Sequence, residues 1–351
     1  MKLAHQTIEL KPTHPFVIAR GGYANHYNVI VRLTDDHGLE GYGEAAPNRY
    51  YGESIETVIA ALAQFKPLME KKDPVSLESI ESSLSRTLRG NASAKSAVSA
   101  ALHDLVGKRL GLPVHRLWGL DAAAAPQSSF TIAIADNNVL EERVKEAVDY
   151  PILKIKLGTD RDMEIVRIVR AAAPEKRLRV DANAAWTPKH AVLMSDFLAD
   201  NSVEMVEQPV AANDIEGLRF VRKHAKLPVF ADESCLVATD IPKLAGAVDG
   251  INIKLAKCGS LREALRMVHT ARALDMQVMA GCMIESSLGI SAIAQIAPLL
   301  DSADFDGAAL LSSDPFRGTT IARGQIKLTD APGLGVLPAT SGDLSAAFKS
   351  A

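Results

Sequence analysis

Three carboxylates of this 351-residue chain follow consecutive β-like runs at a spacing of about 25 residues. They are Asp181 in VDAN, Glu207 in VEQP and Asp232 in ADES. On neighbouring parallel strands the side chains would lie at one level, where carboxylates repel one another unless a cation lies between them. No histidine or thiolate belongs to the set, so a hard cation is indicated, Mg²⁺ first and Mn²⁺ second. A single such aspartate is more often a helix cap, but three in phase favour a metal site.

Lysines that can remove and return a proton lie in the same phase. Lys154 and Lys156 in LKIK are two residues apart and share one face of a strand, and Lys254 comes four runs later. In a closed barrel those strands stand on opposite walls, so Lys156 and Lys254 are predicted to exchange a proton on the two faces of one carbon. Lys154 and the cation would lower the pKa of Lys156 from its usual value of about 10.4. In the alternative interpretation, which we prefer for Lys257, the lysines snorkel or pair with strand-end acids.

A second pair of acids, Asp304 and Asp306 in DFDG, belongs to the eighth run. Two aspartates on one face form a site for a cation, and with the metal placed elsewhere a substrate ammonium group is the expected partner. DFDG is equally compatible with a turn. Thr131 on the first run and Cys282 on the seventh fall in the same phase, so a polar or special residue is expected near the end of each run.

The runs that must position these residues alternate with helix-length segments. The runs are SSFTIAI, ILKIKL, LRVDAN, VEMVEQP, PVFADES, GINIKL, MQVMAG and DFDGAALL. The helical segments between them include 161–172, 188–200, 214–225 and 261–274. Eight strand–helix alternations predict an α/β fold, a (β/α)₈ TIM-like barrel over residues 126–324, with all the special residues at one mouth.

Residues 1–125 have a different rhythm and predict an α+β capping domain. Two β-rich runs, 29–33 and 39–45, flank the turn DDHG and predict a hairpin. A helical stretch follows to about residue 110, with expected breaks at Pro67, Pro74 and Gly90. The last segment, 325–351, is expected to return to this domain and complete it.

Two loops of the capping domain are candidate lids over the barrel mouth. The segment 15–22 carries Arg20, and the segment 48–54 carries Arg49, Tyr50 and Tyr51. Arg20 is suited to bidentate recognition of a carboxylate. On the residues alone, however, a surface arginine is the better interpretation.

Composition excludes several classes of protein. The 39 Lys+Arg and 42 Asp+Glu give a net charge of −3, so nothing favours nucleic-acid binding. No signal-peptide core or membrane-spanning apolar run is found. The three cysteines are widely spaced and fit a reducing compartment, which predicts a cytoplasmic location. Apolar faces on the outer helices are compatible with a homo-oligomer.

Together, KIK, DAN, EQP, DES and IKLAK, with the region 101–119, resemble the enolase superfamily, muconate-lactonizing subgroup, over essentially the whole chain. Within that subgroup PFVIARG, RYYGES and DFDG are similar to dipeptide epimerases. The resemblance implies Mg²⁺-dependent epimerisation of an L-Ala-Xaa dipeptide, with glutamate expected as Xaa, in murein peptide metabolism. The proton would move between two lysines through a metal-stabilised enediolate.

The resemblance also implies a role for each candidate residue. Asp181, Glu207 and Asp232 would bind the metal together with the carboxylate of the substrate. Lys156 and Lys254 would be the acid/base pair, with Lys154 electrostatic. The implied substrate contacts are Asp304 and Asp306 to the ammonium, Arg20 to the side-chain carboxylate, and Thr131, Cys282, Met283 and Tyr50 around the pocket.

Two positions depart from the family pattern and leave specificity open. Ser260 replaces the second glycine of a Lys-x-Gly-Gly loop, and Tyr51 is a one-residue insertion in RYYG. Muconate-type cycloisomerisation, o-succinylbenzoate synthesis and N-acylamino acid racemisation are alternatives, but their substrates lack a free ammonium for Asp304 and Asp306. Outside catalysis, a barrel that only binds metal and ligand is the alternative, and the intact acid, base and metal positions argue against it.

Overall fold

A computed structural model of the chain describes residues 1–70, 72–339 and 348–350. Part of the predicted returning segment, residues 340–347 and 351, lies outside the described residues. The first strands are β1 (Lys2–Leu10), β2 (Phe16–Ile18), β3 (Gly21–Tyr23), β4 (His26–Thr34) and β5 (Glu40–Ala45). The helices that follow are α1 (Ile55–Met69), α2 (Leu77–Thr87), α3 (Ala92–Leu110) and α4 (Val114–Leu117).

Strands β1, β4 and β5 form an antiparallel sheet, and the predicted hairpin is confirmed by the pairing of β4 with β5. Val29, Val31 and Leu33 alternate along β4 and pack into the core beneath the helices, whereas Ile30 points to the barrel side. Gly43 on β5 allows α3 to lie directly against the strand, because a Cβ there would collide with the Ala97 carbonyl.

Helix α1 begins at a capping box, in which Ser54 and Thr57 satisfy each other's backbone N–H groups. The expected break at Pro67 is wrong, because this proline lies inside α1, which continues to Met69. Pro67 falls in the last turn of the helix, so it disturbs the end of the helix rather than its middle.

The middle of the chain forms the predicted barrel. Its strands are β6 (Phe130–Ile132), β7 (Ile152–Lys156), β8 (Arg177–Asp181), β9 (Val203–Glu207), β10 (Val229–Ala231), β11 (Gly250–Ile253), β12 (Gln277–Gly281) and β13 (Ser302–Asp304). Among the described residues these eight strands pair in parallel in sequential order, and a bridge between Ser128 and Ala303 joins the first strand region to the last. The predicted fold class is therefore confirmed.

Helices surround this sheet on the outside. They are α5 (Asn137–Glu146), α6 (Asp162–Ala172), α7 (Pro188–Asp200), α8 (Ile215–His224), α9 (Ile241–Leu244), α10 (Leu255–Cys258), α11 (Leu261–Arg272) and α12 (Ser287–Ala294). The helix predicted over 188–200 has those bounds, and the other three predictions differ by one or two residues at an end. On β7 the apolar residues Leu153 and Ile155 join the main core, which leaves Lys154 and Lys156 on the inner face.

The C-terminal strands are β14 (Phe316–Arg317), β15 (Thr320–Ala322), β16 (Gln325–Lys327), β17 (Leu337–Pro338) and β18 (Lys349–Ser350). The first four form two short antiparallel pairs, β14 with β17 and β15 with β16. Strand β18 pairs antiparallel with β1, so the chain ends on the sheet where it began. Within the described residues, no helix is long and apolar enough to cross a membrane.

Glu44 on β5 connects the capping domain to the barrel. Its carboxylate is buried and lies at the start of α12, where it accepts hydrogen bonds from the N–H groups of Ser286 and Gly289 at 3.1 and 3.0 Å. The Ser286 hydroxyl and the Asn28 amide also donate to it. A negative charge at a helix N-terminus is favourable, so Glu44 fixes how the cap sits on the seventh βα unit.

The substitution Glu44→Gln tests this connection. Because its amide would face donors that now meet a carboxylate, we expect the free energy of unfolding to fall by about 1–3 kcal/mol. The matched control is Glu40→Gln on the same strand, whose side chain is 36% exposed and pairs with Arg32; it should cost less than about 1 kcal/mol. Chemical denaturation measures both, and equal losses would contradict the role of Glu44.

Candidate active site

The three predicted metal ligands meet at one end of the barrel. Asp181 ends β8 and Glu207 ends β9, where they are register partners, and Asp232 directly follows β10. One carboxylate oxygen from each lies within 4.8 Å of the others, and all three residues are buried. The equal sequence spacing therefore becomes a level ring of acids.

The three predicted lysines are buried around this ring. Lys154 lies 2.7 Å from Asp304, 2.8 Å from Glu207 and 3.5 Å from Asp181, measured from its Nζ to a carboxylate oxygen. Lys156 donates to Asp181 at 2.6 Å, and Lys254 donates to Asp232 at 2.7 Å. Each member of the proposed acid/base pair thus contacts a different acid, on the second and sixth strands of the barrel.

Burial and the lysine contacts shift the pKa of the ring acids in opposite directions, and the balance differs from one acid to the next. Burial alone would raise the pKa of Asp181, but Lys156 and Lys154 hold it down to about 2. Burial would also raise the pKa of Asp232, but Lys254 and Lys257 hold it far below its usual value. Burial raises the pKa of Glu207 to about 7, only partly opposed by Lys154. Glu207 is therefore the acid of the ring whose ionisation most needs further positive charge.

The donor set fits a hard divalent cation. It consists of three buried carboxylates whose oxygens are close enough to share one ion, and oxygen-only ligation is what Mg²⁺ and Mn²⁺ prefer. Asn252 donates to Glu207 Oε1 at 2.8 Å and holds this side chain in place. Such outer contacts orient metal ligands.

Asp304 and Asp306 come together beside Lys154 with the first strand. Asp304 accepts from Ser129 Oγ at 3.0 Å, and Asp306 accepts from the Thr131 N–H at 2.5 Å. Burial is the main influence on both acids. It raises the pKa of Asp306 to about 7, with a contribution from Asp304, whereas Lys154 keeps the pKa of Asp304 below its usual value. Asp306 is thus a buried acid that a cationic group would stabilise in its ionised form.

The remaining predicted pocket residues lie around these centres. Cys282 Sγ is 3.3 Å from the Asp304 carbonyl, and burial raises the pKa of this thiol well above its usual range, so it is a neutral wall residue. The Met283 sulfur is 3.8 Å from the Asn48 amide of the lid loop. Tyr50 is largely exposed, and its ring lies 4.2 Å beneath the Arg20 guanidinium.

Arg20 reaches the barrel mouth and contacts residues that sequence reasoning missed. Its Nη2 donates to Glu233 at 2.8 Å, and its Nη1 donates to the Asn183 carbonyl at 2.7 Å. Both partners lie inside the motifs of the predicted metal ligands: Glu233 directly follows Asp232 in ADES, and Asn183 is two residues after Asp181 in VDAN. Asn183 adopts a left-handed backbone with φ 45°, which asparagine tolerates better than most residues. Their closeness in sequence to Asp232 and Asp181 is the signal from which these two residues could have been predicted to lie at the site.

Lys257 pairs with a strand-end acid, in agreement with the interpretation preferred for it from the sequence. It is fully buried and donates to Asp232 Oδ1 at 2.5 Å. It also donates to the carbonyls of Cys235 and Asn252 at 3.1 and 3.0 Å. The sequence signal that Lys257 lies near Lys254 is the three-residue step between them, which is about one helical turn.

Comparison with known families places the chain. Residues 3–119 match the family described as mandelate racemase / muconate lactonizing enzyme, N-terminal domain, and residues 138–341 match enolase C-terminal domain-like. The chain belongs to the enolase superfamily, in its mandelate racemase and muconate-lactonizing branch. The resemblance inferred from the sequence is confirmed.

Individual relatives are isomerases similar over nearly the full length. The chain is 40% identical over 339 residues to an L-Ala-D/L-Glu epimerase of Bacteroides thetaiotaomicron, covering 96% of this chain and 88% of the relative. It is 41% identical over 321 residues to an L-Ala-D/L-amino acid epimerase of a Maribacter species, covering 92% and 94%. A dipeptide epimerase from Enterococcus faecalis, solved with Mg and L-Leu-L-Tyr, superposes with a TM-score of 0.91 at 33% identity, covering 95% and 98%. The prediction of an isomerase is confirmed.

The buried acid Asp306 gives a pH-dependent prediction. Because its folded pKa of about 7 lies above the unfolded value, the native chain binds more protons than the unfolded chain between about pH 4 and 7. Its contribution to stability therefore falls as pH rises through that window. Asp306→Asn should raise the free energy of unfolding of the metal-free protein more at pH 8 than at pH 5, by on the order of 2 kcal/mol.

The control for this prediction is Asp149→Asn, which changes an exposed aspartate and should show no such difference. Denaturant unfolding at the two pH values measures both variants. A gain from Asp306→Asn that is the same at both pH values, or larger at pH 5, would contradict the burial of an acid that resists ionisation.

Proposed function

We propose that this chain is a Mg²⁺-dependent epimerase of L-Ala-Xaa dipeptides that moves the α-proton of the second residue between two lysines. The observation that carries the proposal is the placement of Lys156 and Lys254. They stand on the second and sixth strands, and each is paired with a different acid of the Asp181–Glu207–Asp232 ring. Two bases on opposite walls can work on opposite faces of one carbon between them.

The three ring acids would hold the cation, and Mn²⁺ is an alternative to Mg²⁺. When bound, the cation supplies positive charge that stabilises the negative charge developing on the substrate carboxylate as the α-proton leaves. With the ring acids turned to a cation, Lys156 and Lys254 would lose their present acid partners, and their ammonium groups would be free to carry the proton. One lysine then accepts the proton from one face of the α-carbon, and the other, already protonated, donates to the opposite face. Lys154 remains charged between Asp304 and Glu207 and adds to the positive field.

The ends of the dipeptide are assigned to the two flanking sites. Asp304 and Asp306 would bind the α-ammonium, with Thr131, Cys282 and Met283 as pocket walls. A buried acid pair is well suited to a cation, which argues against cycloisomerase, o-succinylbenzoate synthase and N-acylamino acid racemase substrates. The side chain of the second residue would reach Arg20 and Tyr50, and the guanidinium donors of Arg20 suit a side chain with acceptor oxygens, such as that of glutamate, the expected Xaa.

The relatives support the dipeptide class and differ in the second residue. One is described as acting on L-Ala-D/L-Glu, another on L-Ala-D/L-amino acids, and a solved structure holds L-Leu-L-Tyr. A cytoplasmic location and a role in murein peptide metabolism remain part of this proposal, as does the division into residues 1–125, 126–324 and 325–351.

The two-lysine assignment is tested by exchange of the substrate α-proton with deuterium from solvent. With L-Ala-L-Glu and Mg²⁺ in ²H₂O, NMR should show deuterium at the α-carbon of glutamate together with formation of the D-epimer. Lys156→Ala and Lys254→Ala should each slow epimerisation by about 10²–10⁴-fold, because each removes one of the two bases.

Lys243→Ala is the control, since that lysine is exposed on the surface and should leave the rate unchanged. Chelation of divalent cations should stop exchange, and added Mg²⁺ should restore it. Epimerisation at the native rate in both active-site variants would refute the two-base mechanism. A dipeptide that binds with Mg²⁺ but never exchanges would favour the noncatalytic alternative.

A further inference from the structure

A cavity of about 670 Å³ lies between the cap and the barrel mouth, next to the proposed metal ligands. Its polar wall is formed by Arg20, Asn183 and Glu233. Five alanines also line it, together with Tyr50, Tyr51, Asn213 and Leu236; the alanines are Ala19, Ala184, Ala185, Ala211 and Ala212. The small alanine side chains leave room for a ligand side chain, so the polar groups of Arg20, Asn183 and Glu233 would determine which side chain binds there.

Arg20 does not present an uncompensated charge to this cavity. Its guanidinium is already paired at 2.8 Å with Glu233, whose side chain is 1% exposed. The pair is neutral as a unit, and the Tyr50 ring under the guanidinium fixes its plane. Two of the five guanidinium N–H groups are used by Glu233 and the Asn183 carbonyl. Donors therefore remain, but without the net positive charge that would select a carboxylate.

Two buried acceptors beside Arg20 have no partner among the residues that the structure describes. They are Glu233 Oε2 and Asn183 Oδ1. Both residues are more than nine-tenths buried and line the cavity. A buried acceptor without a donor is costly, so a ligand that brings N–H groups to this end of the cavity would relieve that cost.

A carboxamide matches this arrangement, because its NH₂ group can donate to the two acceptors while its oxygen accepts from Arg20. A carboxylate of the same shape brings no donor and would place a negative charge beside Glu233. We propose that the second-residue subsite of this chain recognises a carboxamide side chain, so that L-Ala-L-Gln is at least as good a substrate as L-Ala-L-Glu. This inference rests on the proposed function and refines its substrate class.

The experiment compares two isosteric substrates on one enzyme. The kcat/KM for epimerisation of L-Ala-L-Gln and of L-Ala-L-Glu is measured with Mg²⁺ by NMR, and their ratio is taken. Because both substrates meet the same protein preparation, differences in metal loading or folded fraction cancel in the ratio. We expect a ratio of one or more in the native enzyme.

The variant Glu233→Gln tests the residue responsible. It removes the negative charge facing the substrate and frees Arg20, so we expect the Gln-to-Glu ratio to fall about tenfold, in the direction of a carboxylate. Glu216→Gln makes the same chemical change on the exposed surface of α8 and should leave the ratio unchanged.

The outcomes separate this inference from the proposed function. A ratio below one in the native enzyme, with L-Ala-L-Glu turned over, overturns the inference and leaves the proposed function standing. A ratio that does not fall in Glu233→Gln also overturns it, because Glu233 would then not read the side chain. If dipeptides outside the Glu/Gln pair are turned over but neither of these two is, the subsite assignment fails while epimerisation stands; if no dipeptide exchanges its α-proton, both fail.

Discussion

The organisation of this protein depends on a buried cluster of opposite charges at the barrel mouth. Lys154, Lys156 and Lys254 share the interior with the ring acids and Asp304, and ion pairs of 2.6–2.8 Å connect them. Charges buried in this way are costly unless each has a partner. Removing Lys154, Asp181 or Asp232 would leave Glu207, Lys156 or Lys254, respectively, without its ion pair, so these three residues hold the cluster together. If the ring acids held a cation, Lys156 and Lys254 would lose their present partners, and one of them would be available as a base.

The capping domain completes this centre from outside. Glu44 fixes the cap on the start of α12, and the lid residue Arg20 reaches Glu233, one residue beyond a ring acid. In the proposed function the barrel would supply the groups that act on the α-carbon, and the contact between cap and barrel would supply the surface that reads the side chain. Such a division would account for relatives that are similar over nearly the whole chain but are described with different second residues.

The barrel and its inner ring were predictable because strand and helix lengths repeat along the chain. Residues at the strand ends therefore recur at the same spacing of about 25 residues. Lys156, Asp181 and Asp232 fall on it, so their convergence follows from the chain order alone. The pairing of Arg20 with Glu233 does not, because residues 213 positions apart meet only through cap–barrel packing. The predicted break at Pro67 was wrong because a proline disturbs a helix less near its end than in its middle, and Pro67 lies in the last turn of α1.

In the proposed mechanism a divalent cation and the lysines would compete for the same acids. A crystal structure of the protein with Mn²⁺, with anomalous diffraction data to locate the ion, tests this directly. We predict one strong anomalous peak bound by Asp181, Glu207 and Asp232, with the ammonium groups of Lys156 and Lys254 moved away from their present 2.6 and 2.7 Å contacts. A peak elsewhere, or a ring whose lysine contacts are unchanged at saturating Mn²⁺, would contradict it.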